Sequence, residues 1–169
     1  MKIILYMSVS IDGKTTQQRD NVDWVAYDDI KRMDALMKEC GIMLMGRATY
    51  ESFGDELPNE HALMVVMTSD QSLLDKTQKN VLFTNDSPKN VLQIIEQKGY
   101  SNVVLAGGNV LNASFLRENL VDELRLIIQP IVIGTGKPLF ESSKEVKSFE
   151  LVDVQNLNGG VLEVRYRKI

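Results

Sequence analysis

The feature that most constrains the fold of this chain is a regular alternation of short apolar runs and helical patterns over its first two-thirds. Short apolar runs bounded by turn residues indicate buried strands, and apolar residues three or four positions apart indicate helices. The strands predicted in this way are 2–9, 42–45, 63–67, 81–84 and 103–105. The predicted helices are 25–40, 47–53, 109–117 and one that begins at Ser87-Pro88 and ends at Gly99. Such an alternation favours a parallel sheet with helices packed on its faces.

The C-terminal part of the chain changes character. From Glu123 onward the segment ELRLIIQPIVIG is rich in β-branched residues and has no helical period, which predicts a strand. The tail FELVDVQNLNGGVLEVRYRKI is typical of a hairpin with its turn at Asn158-Gly159-Gly160. We therefore predict an α/β sandwich with a mixed, mostly parallel central sheet and a C-terminal hairpin. Because the chain has no internal repeat or low-complexity boundary, we expect one domain over residues 1–169.

Composition argues against several functional classes. The net charge of −4 offers no broad basic face for nucleic acid. The N-terminal apolar run is broken by Ser8, Ser10 and Asp12, is too short to span a membrane and lacks a signal-cleavage pattern. A single cysteine, Cys40, fits a reducing compartment, and no His/Cys cluster has metal-ligand spacing. We expect a cytoplasmic protein without a metal, a membrane or a nucleic acid as partner.

Segments of small or polar residues follow four of the predicted strands. In an open parallel sheet, ligands bind beyond these carboxyl ends. Glycines allow close approach to a ligand, the first turn of a helix attracts anions, and the Arg47 guanidinium matches phosphate. Each segment alone is consistent with an ordinary turn or a surface ion pair, but together they predict a nucleotide along one edge of the sheet. The segments are GRAT (46–49), TSD (68–70), TND (84–86) and GGN (107–109).

Several motifs resemble a known family. LMGRATYESFG closely resembles the Met-Gly-Arg-x-Thr-Trp/Tyr-Glu-Ser motif of dihydrofolate reductases, and LAGGNVLNASFL resembles their double-glycine motif. SVSIDGK and LVDELRLIIQPIVIGTGKPLF resemble the reductase domain of bacterial riboflavin biosynthesis, the C-terminal domain of the bifunctional deaminase-reductase. The resemblance covers nearly the whole chain and implies a dihydrofolate-reductase-like fold.

The resemblance also implies NADPH as cofactor, bound across the strand ends. Arg47 and Thr49, which follow Gly46, match positions that hold the cofactor's phosphates. Thr68 and Ser69 match a loop near the 2′-phosphate. Because a cation beside hydroxyl donors suits an extra phosphate, we expect NADPH to be preferred over NADH. The turn and helix start that would cradle the pyrophosphate are Gly107, Gly108, Asn109, Val110 and Leu111.

Two acids are candidates for the catalytic residue on the substrate side, the role that one acid early in the first helix has in dihydrofolate reductases. Asp29 precedes Met33 by four residues and Leu36 by seven, so it shares the apolar stripe of its helix, whereas Asp28 points away. An inward carboxylate needs a partner that a substrate ring could supply, although Asp29 also suits a first helical turn. Asp12 is the alternative: the riboflavin-type proteins have their Ser-x-Asp-Gly loop near the substrate, but Asp-Gly is also a plain turn.

The substrate stays open at this stage. The riboflavin reductases usually carry a glutamate before the double glycine, where this chain has Ala106, and the loop that flanks the nicotinamide in dihydrofolate reductases is missing. We expect an NADPH-dependent reductase of a small pterin- or pyrimidine-like heterocycle. The alternatives are a non-catalytic nucleotide-binding relative and a reductase of flavin- or quinone-like acceptors. The run LRLIIQPIVI is apolar enough to form part of an interface, so we expect a homodimer; the alternative is that this run is the central strand pair.

Overall fold

The computed structural model describes residues 1–18, 21–54, 60–142 and 146–169. The helices in these ranges are α1 (Tyr27–Cys40), α2 (Arg47–Phe53), α3 (Gln71–Leu74), α4 (Pro88–Gln97) and α5 (Asn109–Arg117). The strands are β1 (Lys2–Ser10), β2 (Ile42–Gly46), β3 (Leu63–Met67), β4 (Val81–Thr84), β5 (Asn102–Leu105), β6 (Glu123–Gln129), β7 (Phe149–Asn156) and β8 (Leu162–Lys168). They form one mixed sheet in the order β4-β3-β2-β5-β1-β6-β8-β7.

The sheet is parallel from β4 to β6 and antiparallel in the C-terminal hairpin. β1 lies at its centre, with Leu5 opposite Leu105 of β5 and Leu124 of β6. β8 pairs antiparallel with both β6 and β7, and a 3₁₀ turn at Asn158–Gly160 joins the two hairpin strands. The predicted α/β sandwich with a C-terminal hairpin is therefore confirmed. Since the six parallel strands point the same way, their carboxyl ends share one edge of the sheet.

One helix was not predicted from the sequence, and some element boundaries differ from the predicted ones. α3 follows the end of β3 and is a four-residue turn, too short for a hydrophobic period to reveal it. It begins because the Asp70 carboxylate accepts a hydrogen bond from the backbone N–H of Ser72 at 3.0 Å. α1 begins at Tyr27 rather than at residue 25, and it ends at Gly41, whose φ of 70° suits glycine.

β6, the strand within the run LRLIIQPIVI, is an inner strand of the sheet. β1 pairs with one edge of β6 and β8 pairs with the other. Both rows of backbone hydrogen-bonding groups of β6 are therefore used within the chain, which is the central-strand arrangement that the sequence left open.

Two apolar layers cover the two faces of the sheet. On one face Leu36 and Met37 of α1 pack against strand residues such as Met43. On the other face Ile95 of α4 and Phe115 of α5 pack against the sheet. Each fully buried side chain of this size contributes about 1.5–3 kcal/mol of hydrophobic stabilisation. Because α1 and α5 are held on opposite faces, their N-terminal ends lie on either side of the sheet edge where the strands finish.

In the part of the chain that the structure describes, no helix is long and apolar enough to cross a membrane.

Candidate functional site

A cavity of about 440 Å³ lies at the carboxyl ends of the central strands. One wall is formed by α1 and the other by the starts of α2 and α5, while β1 forms the floor. The α1 wall presents a carboxylate among apolar side chains, and the opposite wall presents glycine and a hydroxyl group. The residues that the following argument uses are Asp29 and Met33 of α1, Ser8 of β1, Thr49 of α2, and Gly108 and Asn109 at the start of α5.

Asp29 is the acid of this cavity. Its residue surface is only 3% exposed, and it lies on the inner face of α1, as the helical spacing predicted, whereas Asp28 is exposed. The side-chain amide of Gln129 and the hydroxyl of Ser8 (3.4 Å) donate hydrogen bonds to Oδ2 of Asp29. The hydroxyl of Tyr6 donates to the backbone carbonyl of Asp29 at 3.3 Å. These contacts fix the position of a carboxyl group that faces the cavity.

Burial raises the pKa of Asp29 above its ordinary value. The hydrogen bond from Ser8, the positive charge of Arg32 and the hydrogen bond from Gln129 oppose that effect, and the negative charge of Asp28 adds to it. A carboxyl group with a raised pKa and an apolar surrounding can exchange a proton with a bound molecule or accept hydrogen bonds from its N–H groups. Burial and Asp29 also raise the pKa of the neighbouring Tyr6, so this phenol stays neutral.

Asp12, the other predicted acid, does not line the cavity. Its carboxylate accepts hydrogen bonds from the Ser10 hydroxyl (2.7 Å) and from the backbone N–H groups of Ile133 (3.0 Å) and Gly134 (2.8 Å). These hydrogen bonds lower the pKa of Asp12 to about 2, and the bond from Ser10 has the largest effect. Asp12 therefore joins the loop after β1 to the loop after β6. The joined loops supply Thr15 and Lys137 to the rim of the cavity.

The double glycine forms the wall opposite Asp29. The N–H of Gly46 donates to the carbonyl of Gly107 at 2.8 Å, which draws the ends of β2 and β5 together. The Gly107-Gly108 peptide bond is cis, and Gly107 has a φ of 90°. A Cβ atom added at Gly108 would lie 3.6 Å from the hydroxyl oxygen of Thr49. Glycine at this position leaves the space between α2 and α5 open to a ligand.

The N-terminus of α5 has no side-chain cap. Its N-cap residue is Gly108, so no side chain occupies the N–H groups of Asn109, Val110 and Leu111. Val110 is 63% exposed, in keeping with a position at an open edge. The backbone N–H groups at this helix start can therefore hold an anion.

The side chain of Asn109 connects α5 to the segment that follows β6. Its amide donates to the Glu141 carboxylate at 2.5 Å, and the backbone N–H of Glu141 donates to the Asn109 carbonyl at 3.1 Å. Three residues further on, the amide of Asn112 donates to the carbonyl of Leu139 at 3.0 Å. Both side chains tie α5 to the 139–141 segment. Asn109 thus offers its backbone, rather than its amide side chain, to the cavity.

Arg47, the predicted phosphate-binding cation, is half-exposed and already ion-paired. Its Nη1 atom lies 3.4 Å from Asp70 Oδ2 and 3.5 Å from Glu51 Oε1. Among the described residues, Arg47 lines neither the large cavity nor a smaller one beyond β3 and β4. It lies at the surface between them.

The smaller cavity has a volume of about 250 Å³. Thr68 and Ser69, both predicted as cofactor-binding residues, form the side that belongs to β3. The side that belongs to β4 carries a carboxylate, Asp86, which was not among the predicted site residues. The lining residues are Met67, Thr68, Ser69, Thr84, Asn85 and Asp86.

The comparisons with known proteins agree with this architecture. A model of the RibD C-terminal domain family matches residues 1–162. The chain is 26% identical over 176 residues to the uncharacterized protein YyaP of Bacillus subtilis (strain 168), covering 98% of this chain and 94% of YyaP. It is 22% identical over 175 residues to the 2,5-diamino-6-ribosylamino-4(3H)-pyrimidinone 5′-phosphate reductase of Methanothermobacter thermautotrophicus, covering 78% and 79% of the two chains. Among solved structures, Enterococcus faecalis dihydrofolate reductase complexed with NADP(H) and RAB-propyl has the same fold, with a TM-score of 0.76, 18% identity and coverage of 99% and 96%.

Proposed function

The chain belongs to the RibD C-terminal domain family, and we propose that it is an oxidoreductase that uses a reduced nicotinamide dinucleotide to reduce a small nitrogen heterocycle. One observation carries the proposal: a single cavity of about 440 Å³ is lined both by the glycine start of α5 and by the buried acid of α1. A hydride-transfer site needs a cofactor ring and a substrate ring side by side, and this cavity has a wall suited to each.

The cofactor wall fits a dinucleotide. The start of α5 offers uncapped backbone N–H groups, the Thr49 hydroxyl lies beside it, and Gly108 leaves the approach open. These groups would hold the pyrophosphate. The sequence expectation of NADPH has support from the dihydrofolate reductase of the same fold, which was complexed with NADP(H).

The cofactor, when bound, supplies the hydride. The described residues of this chain orient the substrate and hold or transfer one proton. Asp29 is the group placed to do both, because burial raises its pKa and so favours its protonated form, and its carboxylate can accept hydrogen bonds from ring N–H groups. Ser8 and Gln129 keep the carboxylate in position.

The substrate class follows from the α1 wall. Besides Asp29, this wall carries the apolar side chains of Ile30 and Met33 of α1 and of Val25, which precedes the helix. A flat ring with adjacent N–H donors, as in pterins and aminopyrimidines, satisfies the carboxylate and the apolar wall together. Ala106 also lines the cavity and presents a methyl group without hydrogen-bonding capacity.

A non-catalytic nucleotide-binding relative is the second candidate. Such a protein would need the α5 wall to bind the nucleotide but would not need the carboxyl group of Asp29. The position of Asp29 favours the enzyme, because this buried carboxyl group lines the cavity and can exchange a proton or accept hydrogen bonds there, which nucleotide binding at α5 alone does not require.

The test is turnover in Asp29→Asn and in Asp28→Asn as the matched control. Asp28 is the neighbouring acid on the exposed side of α1. With a panel of pterins and aminopyrimidines, we expect the Asp29 variant to lose at least 100-fold in kcat/KM, while the Asp28 variant and dinucleotide binding stay unchanged. Equal turnover in both variants would contradict the role of Asp29. Dinucleotide binding without turnover of any heterocycle by the wild-type protein would favour the non-catalytic candidate.

A further inference from the structure

We propose that Asp86 makes the smaller cavity select a cofactor whose adenosine ribose carries a free 2′-hydroxyl, so that the chain uses NADH at least as well as NADPH. This inference rests on the proposed function, and it reverses the preference for NADPH that Arg47 suggested in the sequence. Three structural observations lead to it, namely the position of the cavity, the hydrogen bonds of its hydroxyl groups and the ion pairs of Arg47. The chemistry of a ribose completes the argument.

The smaller cavity lies on the same edge as the glycine start of α5. The sheet order from that start is β5, β2, β3 and β4, and β3 pairs with β4 so that Met67 lies opposite Thr84. β2 pairs with β3 so that Gly46 lies opposite Met67. A dinucleotide with its pyrophosphate at α5 therefore passes Gly46 and reaches the cavity between the ends of β3 and β4 with its adenosine half.

The hydroxyl group of Thr84 in this cavity is already committed to Asp86. The Thr84 hydroxyl donates to Asp86 Oδ2 at 2.6 Å, and the N–H of Asp86 donates back to the Thr84 oxygen at 3.1 Å. On the other side, the Thr68 hydroxyl oxygen accepts from the N–H of Asp70 at 3.0 Å. A hydroxyl group has one proton to donate, so Thr84 cannot give it to a phosphate without releasing Asp86. Thr84 therefore holds the carboxylate of Asp86 at the cavity.

Two carboxylates lie at the cavity or beside it, that of Asp86 in its lining and that of Asp70 next to Thr68. Asp86 is the one charged residue among the described residues that line it. Hydrogen bonds from Ser72 lower the pKa of Asp70, so this neighbouring carboxylate is ionised at neutral pH. The nearest cation that the cofactor motif provides, Arg47, is shared between Asp70 and Glu51. One guanidinium is thus balanced by two carboxylates before any ligand binds, and Asp86 remains as an additional negative charge.

The two cofactors differ in what they present to Asp86. A ribose with free 2′- and 3′-hydroxyls presents two donors, and an ionised carboxylate is an acceptor with capacity beyond its bond from Thr84. A 2′-phosphate is a dianion at neutral pH and presents only acceptors, so it is repelled by Asp86. Carboxylate recognition of the ribose 2′-hydroxyl is the mode by which other dinucleotide folds select NAD, although this chain lacks their glycine fingerprint.

Calorimetric titration of the purified chain with NADH and with NADPH tests the proposal, together with ADP-ribose and its 2′-phosphorylated form as probes without nicotinamide. We expect NADH to bind at least as tightly as NADPH. In Asp86→Asn, which retains an oxygen that can accept from Thr84, we expect NADPH to tighten about tenfold relative to NADH. Asp75→Asn, which changes an exposed acid at the end of α3, is the matched control and should leave the ratio unchanged.

Raising the salt concentration provides a second readout that does not depend on a variant. Because the repulsion is electrostatic, salt should raise the NADPH-to-NADH affinity ratio of the wild-type protein and have a smaller effect on that of Asp86→Asn. Tenfold tighter binding of NADPH than NADH to the wild-type protein, or an unchanged ratio in Asp86→Asn, would overturn the role of Asp86 and leave the proposed function standing. Failure of both dinucleotides to bind would overturn both.

Discussion

The side-chain amide of Gln129, the last residue of β6, donates a hydrogen bond to the carboxylate of Asp29, which lies one hundred residues earlier in the first turn of α1. Gln129 is itself 3% exposed and is paired in the sheet with Ser10 of β1. The acid of the cavity is therefore positioned by the centre of the sheet and not by its own helix alone. This contact links the parallel half of the fold to the chemistry proposed for it.

Replacement of Gln129 by methionine should shift the pH profile of turnover. The amide stabilises the ionised form of Asp29, so its loss raises the pKa of Asp29 further. The limb of the kcat/KM profile that reports Asp29 should move to higher pH. An unmoved limb would show that the Gln129 contact does not tune the acid; Gln155→Met, at an exposed position on β7, is the control.

Asp29→Asn should make the chain more stable at neutral pH while it abolishes turnover. The folded-state pKa of Asp29 is raised, so the folded protein favours the protonated form, and its stability falls as pH rises through that pKa. An amide does not ionise and lacks this penalty. Urea unfolding from the ordinary pKa of 3.8 up to pH 8 should show a larger loss of stability with rising pH in the wild-type protein than in the variant. Parallel curves would contradict the assignment of a raised pKa.

Asp12→Asn should lower the thermal stability at neutral pH. The folded pKa of Asp12 is depressed to about 2, so its contribution is present above the ordinary pKa of 3.8 and is lost as pH falls towards 2. We expect the difference in melting temperature between wild type and variant to narrow as the pH is lowered from 5 to 3. Asp28→Asn is the control. If Asp12 contacts the substrate instead, its variant would lose turnover with little change in melting temperature.

Gly108→Ala and Gly107→Ala should have different effects. At Gly108 the φ is −76° and the new methyl group makes an ordinary contact with Thr49, so the fold tolerates it, but the methyl group narrows the approach to α5. At Gly107 the φ is 90° and a Cβ atom would lie 3.0 Å from the sulfur of Met7, which destabilises the chain by about 1–2 kcal/mol. We expect Gly108→Ala to weaken dinucleotide binding at an unchanged melting temperature. A variant that binds like wild type would remove Gly108 from the cofactor wall.

The predicted homodimer is tested by light scattering coupled to size-exclusion chromatography. β7 is one edge strand of the sheet, β4 being the other, and Leu151 and Val154 of β7 are exposed opposite Tyr166 and Val164. If two copies associate through this edge, Leu151→Lys combined with Val154→Lys should produce a monomer, whereas Gln155→Lys should not. A wild-type chain that is monomeric at micromolar concentration would contradict the prediction.

Much of the fold was predictable because it depends on local patterns. The bounds 47–53, 63–67, 81–84 and 109–117 agree with α2, β3, β4 and α5, since each element lies between clear turn signals. The family match over residues 1–162 confirms the resemblance inferred from the motifs. The burial of Asp29 also followed from spacing alone.

The partners of the predicted residues were not predictable, because they depend on strand pairing between distant segments. Tyr6 and Ser8 share a face of β1 by their spacing, but only the pairing of β1 with β6 brings Gln129 to Asp29. In the same way, the ion pair of Arg47 with Asp70 depends on the pairing of β2 with β3, which brings the ends of these strands together, whereas that with Glu51 lies within α2. Sequence patterns locate strand ends, whereas the charge balance at those ends is a property of the assembled sheet.

The most direct test of the central claim, that one cavity holds cofactor and substrate, is a titration of reduced nicotinamide dinucleotide into the wild-type chain and into Gly108→Val by calorimetry. The account predicts saturable one-site binding to the wild-type protein and at least tenfold weaker binding to the variant, with unchanged circular dichroism. The absence of binding of both NADH and NADPH to the wild-type chain would contradict the account.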